Sequence, residues 1–510
     1  MKAEPTHAAS WDLTSKISPY LDLHMMFPLL EYIDSLISKG SIAYSHEDVA
    51  KARLSLLTPT HMVDYAMEIY KELHNNDIPA EMEDQKAQVL ATLETLKNDE
   101  GCKAFTELCK NTELRQKLLR SGEWNIPELS KKKELGINLQ VIETYRKLAK
   151  FKFDCGDYQT ASIMLTSILS LYAMPPLPKE DDDVDHVDDD RADRTDKSEK
   201  TGNPKVYHLT SINTDLLQIL WGKLACEILI ENWDEASIAL TAVKLSIEHL
   251  VYTHKMTHLE ALTQRTWLLH WSLFVFWNNS AKGLDAMVDL FFSEKYLQAI
   301  TTNAPHLLRY LTVAVLLVKR RVAKTFSRDG RSSGAEGRRL MKDLVRLMQN
   351  CEYSDPIVEF VDCLCVKFDF EGAQTKLAEC EAVLETDFFL TKRSALFMEE
   401  ARVFVFESYC QIHDKVDLKV LGAKLAMDQE AAEHWIVDLI RNALLDAKID
   451  SEQGCVVMSA DNRSVYEQVM EKTRDLNLRS AGLAQNLENF VANVRKSNAK
   501  KAREALEEEE

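Results

Sequence analysis

The chain has 510 residues, a formal net charge of −19 and an apolar content of 45%. That length allows two or three domains with sizeable cores. The negative field disfavours nonspecific binding of the whole chain to nucleic acid, so any contact with a polyanion needs a local basic patch.

Fifteen Gly and 12 Pro, with apolar residues recurring at three and four, predict a mostly α-helical protein. At the start, MKAEPTHAAS lacks the apolar segment of a secretory leader. Ten cysteines, from Cys102 to Cys455, are scattered through helical patterns. They are read as reduced thiols of a soluble, cytoplasmic protein with room for a nuclear pool.

Residues 1–174 are expected to form helical repeats. GDYQTASIMLTSIL around Tyr158, ENWDEASIALTAV around Trp233 and FDFEGAQTKLAEC around Phe370 share a pattern. Each places a small residue three after the aromatic (Ala161, Ala236, Ala373) and Leu seven after it (Leu165, Leu240, Leu377). The small residue lets a neighbouring helix approach and the larger two fill the gap, as in stacked αα-hairpins of a solenoid. The copies lie 75 and 137 residues apart, which makes a degenerate array and not a strict repeat.

Between the first two copies, Pro175 to Pro204 holds eleven acids against five bases, with seven Asp in residues 181–190. Such a run cannot bury enough surface to offset ordering, so it reads as an acidic disordered linker dividing two helical parts. It lacks the alternation and Gly of an EF-hand loop.

Residues 205–415 are expected to continue the helical repeats. His254 and His258 stand four apart on an expected helix, but Lys255 occupies the position where a zinc hydrolase needs its Glu base. Thr266 to Ala281 is the longest charge-free apolar stretch and is too short to cross a bilayer. Lys319 to Arg346 carries ten bases against three acids, with an expected loop from Ser327 to Gly337. Lys319, Arg320, Arg321, Lys324, Arg338 and Arg339 are candidate RNA contacts; a solvated helix–loop–helix facing acidic neighbours is the blander reading. Cys363 and Cys365 have no second pair at finger spacing and read as core thiols.

Residues 416–462 look like a winged helix: a helix from Val416 to Met427, Asp428 as N-cap, a second helix from Gln429 to Ala447, then a hairpin turning at Gly454 into a strand from Cys455 to Met458. On the second helix Trp435, Ile436, Leu439 and Ile440 form an apolar face. Asp428, Glu430, Glu433, Asp438 and Asp446 oppose only Arg441, a balance that repels a phosphate-lined groove. The module is therefore expected to grip protein, and its hairpin, through Val456 and Val457, to add an edge to another sheet. In the C-terminal helices, 463–510, an apolar stripe of Leu483, Leu487, Phe490, Val491 and Val494 suits packing on partner helices, or folding back on the winged module.

No stretch matches a phosphate-binding loop, a dinucleotide turn or a nucleophile elbow, so no catalytic residue, cofactor or metal is expected. A helical array feeding a non-DNA winged helix and then a long helix resembles the PCI family of scaffolding subunits. The stretches WDLTSKISPYLDLHMMFPLLEYI at 11, TWLLHWSLFVFW at 266, YLQAITTNAPHLLRYLTVAV at 296, DPIVEFVDCLCVKFDFEGAQTKL at 355 and EHWIVDLIRNALLDAKID at 433 resemble the e-subunit family of eukaryotic translation initiation factor 3. That resemblance implies a non-catalytic scaffold that binds other subunits of the factor through its winged helix and C-terminal helices. It also implies a place at the small ribosomal subunit, where mRNA and initiator tRNA are recruited. Proteasome-lid or signalosome membership is the alternative, and no membrane contact is expected.

Overall fold

In a computed structural model the described residues are 11–40, 42, 44–74, 78–132, 136–172, 212–279, 281–327, 334–413, 415–417, 434, 437, 447–450, 455–458, 466, 469–470, 472–474, 476–488 and 490–491. Contacts divide the chain into two compact units, Met1–Phe404 and Val405–Glu510.

Every regular element described in the first unit is a helix. Helices Met26–Ser38, His46–Leu57, Val63–Leu73, Ala80–Asn98, Glu100–Lys110 and Thr112–Arg120 lead into an array of antiparallel hairpins. The array pairs Leu139–Asp154 with Tyr158–Ser170, Thr214–Ile230 with Trp233–Tyr252, Leu308–Ser327 with Gly334–Asn350, and Pro356–Asp362 with Phe370–Thr386. Helix His258–Asn278 runs through the middle of the array with apolar residues on every side, and Leu268, Leu269, Leu273 and Val275 are fully buried. It contains most of the apolar stretch noted above. Among the described residues no helix is long and apolar enough to cross a membrane.

The three aromatic–small–Leu copies fold alike. Tyr158, Trp233 and Phe370 are each the first residue of a helix. Ala161, Ala236 and Ala373 are each 0% exposed, and Leu165, Leu240 and Leu377 are buried. Two residues before each aromatic the backbone turns left-handed, at Gly156 (φ 88°), Glu231 (φ 64°) and Phe368 (φ 54°). That turn ends the preceding helix and reverses the chain within a few residues. Asp157 and Asp369 then cap the new helix by accepting backbone N–H bonds.

The acidic run lies outside the described residues, but the helices on either side of it are in direct contact. Lys223 donates to Ser162 (2.9 Å), Thr166 (2.7 Å) and Glu227 (2.6 Å), all inside the Tyr158–Ser170 and Thr214–Ile230 pair. The expected division into two helical parts is thereby corrected: the array continues across the run.

The beginning of the chain closes on the far part of the unit. Tyr20 Oη donates to the Asn303 carbonyl (3.2 Å), Tyr32 Oη to the Glu385 carbonyl (2.6 Å), and Arg309 Nη2 to the Trp11 carbonyl (2.8 Å). In the second unit the described strands are β1 (Lys415–Asp417), β2 (Ala447–Asp450) and β3 (Cys455–Met458), in one antiparallel sheet.

Candidate protein interface

The sheet is ordered β1-β3-β2. Val456 is 0% exposed and pairs with Val416 on one side and Ile449 on the other; Val457 pairs with Lys415 and Lys448. The β-branched pair Val456 and Val457 suits a strand with neighbours on both sides. Two expectations are corrected here. The strand Cys455–Met458 is central and not an edge, so among the described strands only β1 and β2 have an outer side to offer for β-augmentation. Val416, Asp417 and Ala447, expected in helices, lie in strands, because the ladder to β3 supplies the backbone partners that a helix would otherwise provide.

Of the apolar face expected on the second winged helix, Trp435, Ile436, Leu439 and Ile440 lie outside the described residues. His434, exposed, and Val437, half-buried, are helical.

The C-terminal stripe falls largely within the described residues. Residues 476–488 are continuous helix, and 490 and 491 are helical. Leu483, Leu487 and Phe490 are 62%, 56% and 65% exposed. The stripe also begins earlier in the chain than expected. Val469, Leu476, Leu483 and Phe490 recur every seven residues, with Tyr466 and Leu487 three before Val469 and Phe490, and all are exposed. That is a heptad seam, and its spacing of seven was the signal to be found. A helix with such a seam left in water costs free energy that a second helix recovers.

The basic segment is less available than its composition suggests. Helix Gly334–Asn350 begins inside the expected loop, because Leu344, Leu347 and Met348 anchor it by burial and because Gly337 sits on its partner helix. A Cβ at Gly337 would lie 3.3 Å from Lys319 Cγ. Lys319 is thus pinned beneath a glycine, with its ammonium 4.3 Å from the Phe404 ring centre. The side chains of Arg320, Arg321 and Lys324 lie outside the described part. Arg338, Arg339, Lys342 and Arg346 are exposed on the outer face of Gly334–Asn350, and Asp343 approaches Arg346 at 3.5 Å and Arg339 at 3.9 Å.

The two histidines expected on one helix are separated. His254 occupies a left-handed turn (φ 54°), whereas Thr257 and Glu260 form a capping box that starts the next helix at His258. Thr257-x-x-Glu260 was legible as that start signal. Cys363 is buried in a π-helical turn, Cys363–Lys367, and burial pushes its thiol up; burial also pushes Cys365 up to about 11. Cys363 is thus a core thiol as expected, whereas Cys365 is only half-buried.

Comparison with known proteins bears on the whole chain. A family model described as eIF3 subunit 6 N terminal domain matches residues 12–152, and one described as PCI domain matches residues 377–460. An Arabidopsis thaliana protein, named as the E subunit of eukaryotic translation initiation factor 3, is 36% identical over 94% of this chain and 96% of its own length. Proteins of the same name from Bombyx mori (36% identical, 93% and 94%) and Aspergillus terreus (37% identical, 92% and 92%) match as fully.

Proposed function

Because the chain belongs to the E-subunit family of eukaryotic translation initiation factor 3, we propose that it is a non-catalytic scaffold component of that factor. In this reading it acts in the cytoplasm and supports small-ribosomal-subunit binding and the recruitment of mRNA and initiator tRNA. It holds other subunits through its winged module, the face of Trp435, Ile436, Leu439 and Ile440 included, and through its C-terminal helices. The observation that carries the partner assignment is the exposed heptad seam, a surface with no use in an isolated chain.

Replacing Leu483 and Leu487 with Glu tests it. Both side chains are exposed, so the fold is spared. Affinity purification of the variant from cells is expected to lose other subunits of the factor. Recovery of the complete assembly at wild-type yield overturns the assignment.

A second reading is favoured by the exposed cations Arg338, Arg339, Lys342 and Arg346 on one helix face. They serve as a weak, salt-sensitive RNA contact within the assembly. Charge reversal at Arg338 and Arg339 is expected to reduce RNA retention at low salt; equal retention removes this role.

A further inference from the structure

Three tryptophans on two adjacent helices wall a groove of about 650 Å3 in the first unit. Trp221 comes from Thr214–Ile230, and Trp267 and Trp271 from His258–Asn278. The Trp221 ring meets Trp271 at 4.7 Å and 76° and Trp267 at 6.4 Å and 80°. Two of the indole N–H groups are already used, Trp221 on Gln264 (2.8 Å) and Trp271 on the Tyr20 carbonyl (3.0 Å). What this wall offers a visitor is therefore fixed aromatic carbon, and Trp267 remains 36% exposed. Gly222 and Ala225 keep the floor open.

The facing wall is helix Leu139–Asp154, which brings Arg146, Lys147 and Lys150 to the groove. Lys147 and Lys150 are exposed, and among the described residues no carboxylate lies within salt-bridge range of either. Arg146 meets Asp215 at 3.5 Å. Asp22 and Asp154 also line the groove.

We propose that this groove receives a linear peptide segment of a partner protein, with one bulky apolar side chain flanked by acidic residues. The apolar side chain enters between the indoles and the acidic ones meet Lys147 and Lys150. Charge complementarity and the aromatic wall together select this occupant. Single-stranded RNA fits less well, because the indoles stand nearly perpendicular and offer no parallel stacking platform. The helices around the groove satisfy their own backbone groups, so recognition runs through side chains, as in helical-repeat grooves generally.

The test is fluorescence anisotropy of the full chain with a fluorescein-labelled heptapeptide, Asp-Glu-Asp-Phe-Asp-Glu-Asp. Saturable binding is expected. The double charge reversal Lys147→Glu with Lys150→Glu, and separately Trp267→Ala, are each expected to raise Kd about ten-fold or more. The exposed control Lys71→Glu leaves Kd unchanged, and a peptide with Ser in place of Phe does not bind. The charge reversals sit at exposed positions, so they decide the matter even if Trp267→Ala fails to fold. Absence of binding, or binding indifferent to the groove variants, overturns the proposal. So does tighter binding of a labelled octauridylate at the same salt, which makes the groove an RNA site. Binding that emerges only after Asp181→Asn, Asp182→Asn and Asp183→Asn also overturns it, because the occupant is then the chain's own acidic run.

Discussion

Two buried histidines show how much single residues settle. His270 Nδ1 lies 2.7 Å from the Thr266 carbonyl, which only accepts, so Nδ1 carries the proton and Nε2 is a lone pair. His306 Nε2, 2.9 Å away, must then donate to it. Tyr20 stacks on His270 at 4.4 Å. Burial pushes His270 down to about 4; burial, with the charges of His270, Lys16 and Arg309 adding, pushes His306 down to about 3. Both are neutral in the folded chain well below the pH at which they protonate in the unfolded one. Their stabilisation is therefore complete above pH 6.5 and drains away as pH falls toward 4, by about 3 kcal/mol for His270 alone. Between pH 6.5 and 5, before most carboxylates titrate, calorimetric Tm is expected to fall, and to fall less steeply in a His306→Asn variant. Arg309 is equally decisive. It donates to Asp355 (2.6 Å) and Asp387 (3.2 Å) while 1% exposed. Arg309→Met leaves two buried carboxylates without their cation and is expected to cost about 3–5 kcal/mol in denaturant unfolding. None of this was legible in the sequence. The partners stand 36 to 78 residues apart, and no local periodicity marks them.

At the scale of the element, the sequence was far more readable. An aromatic, a small residue three later and Leu seven later define one helical face, and the structure uses all three copies in that way. The turn before each copy was legible at Gly156 alone, since Glu231 and Phe368 are not residues that suggest a left-handed backbone. The same conformation held by different residues predicts opposite outcomes. Gly156→Ala places a Cβ in a left-handed backbone 3.3 Å from Met62 Cε and is expected to lose about 1–2 kcal/mol. Glu231→Gly relieves the same strain at an exposed position and is expected to gain up to about 1 kcal/mol. Thermal melts of both variants check the pair. The strand order was not legible, because pairing of β1 with β3 joins residues about 40 apart and nothing within either strand names its partner.

For the whole molecule, the C-terminal half of the heptad seam was plain in the sequence, whereas the acidic run was misleading as a divider. The run looks like a boundary because composition changes there, but tertiary contacts decide boundaries, and Lys223 bonds across this one. Deleting residues 181–190 is accordingly expected to leave the melting temperature of the chain unchanged, which a thermal scan measures. Contacts at the two ends of the first unit carry a different consequence. Tyr32 bonds to a carbonyl 353 residues further on. At the pace of synthesis, about 5–20 residues per second, that partner emerges from the ribosome roughly 20–70 s after Tyr32 does. The buried faces of Met25 and Leu29, which line hollows shared with Phe388, wait through that interval for the surface that will cover them, so a newborn chain is most open to misassociation at the end made first.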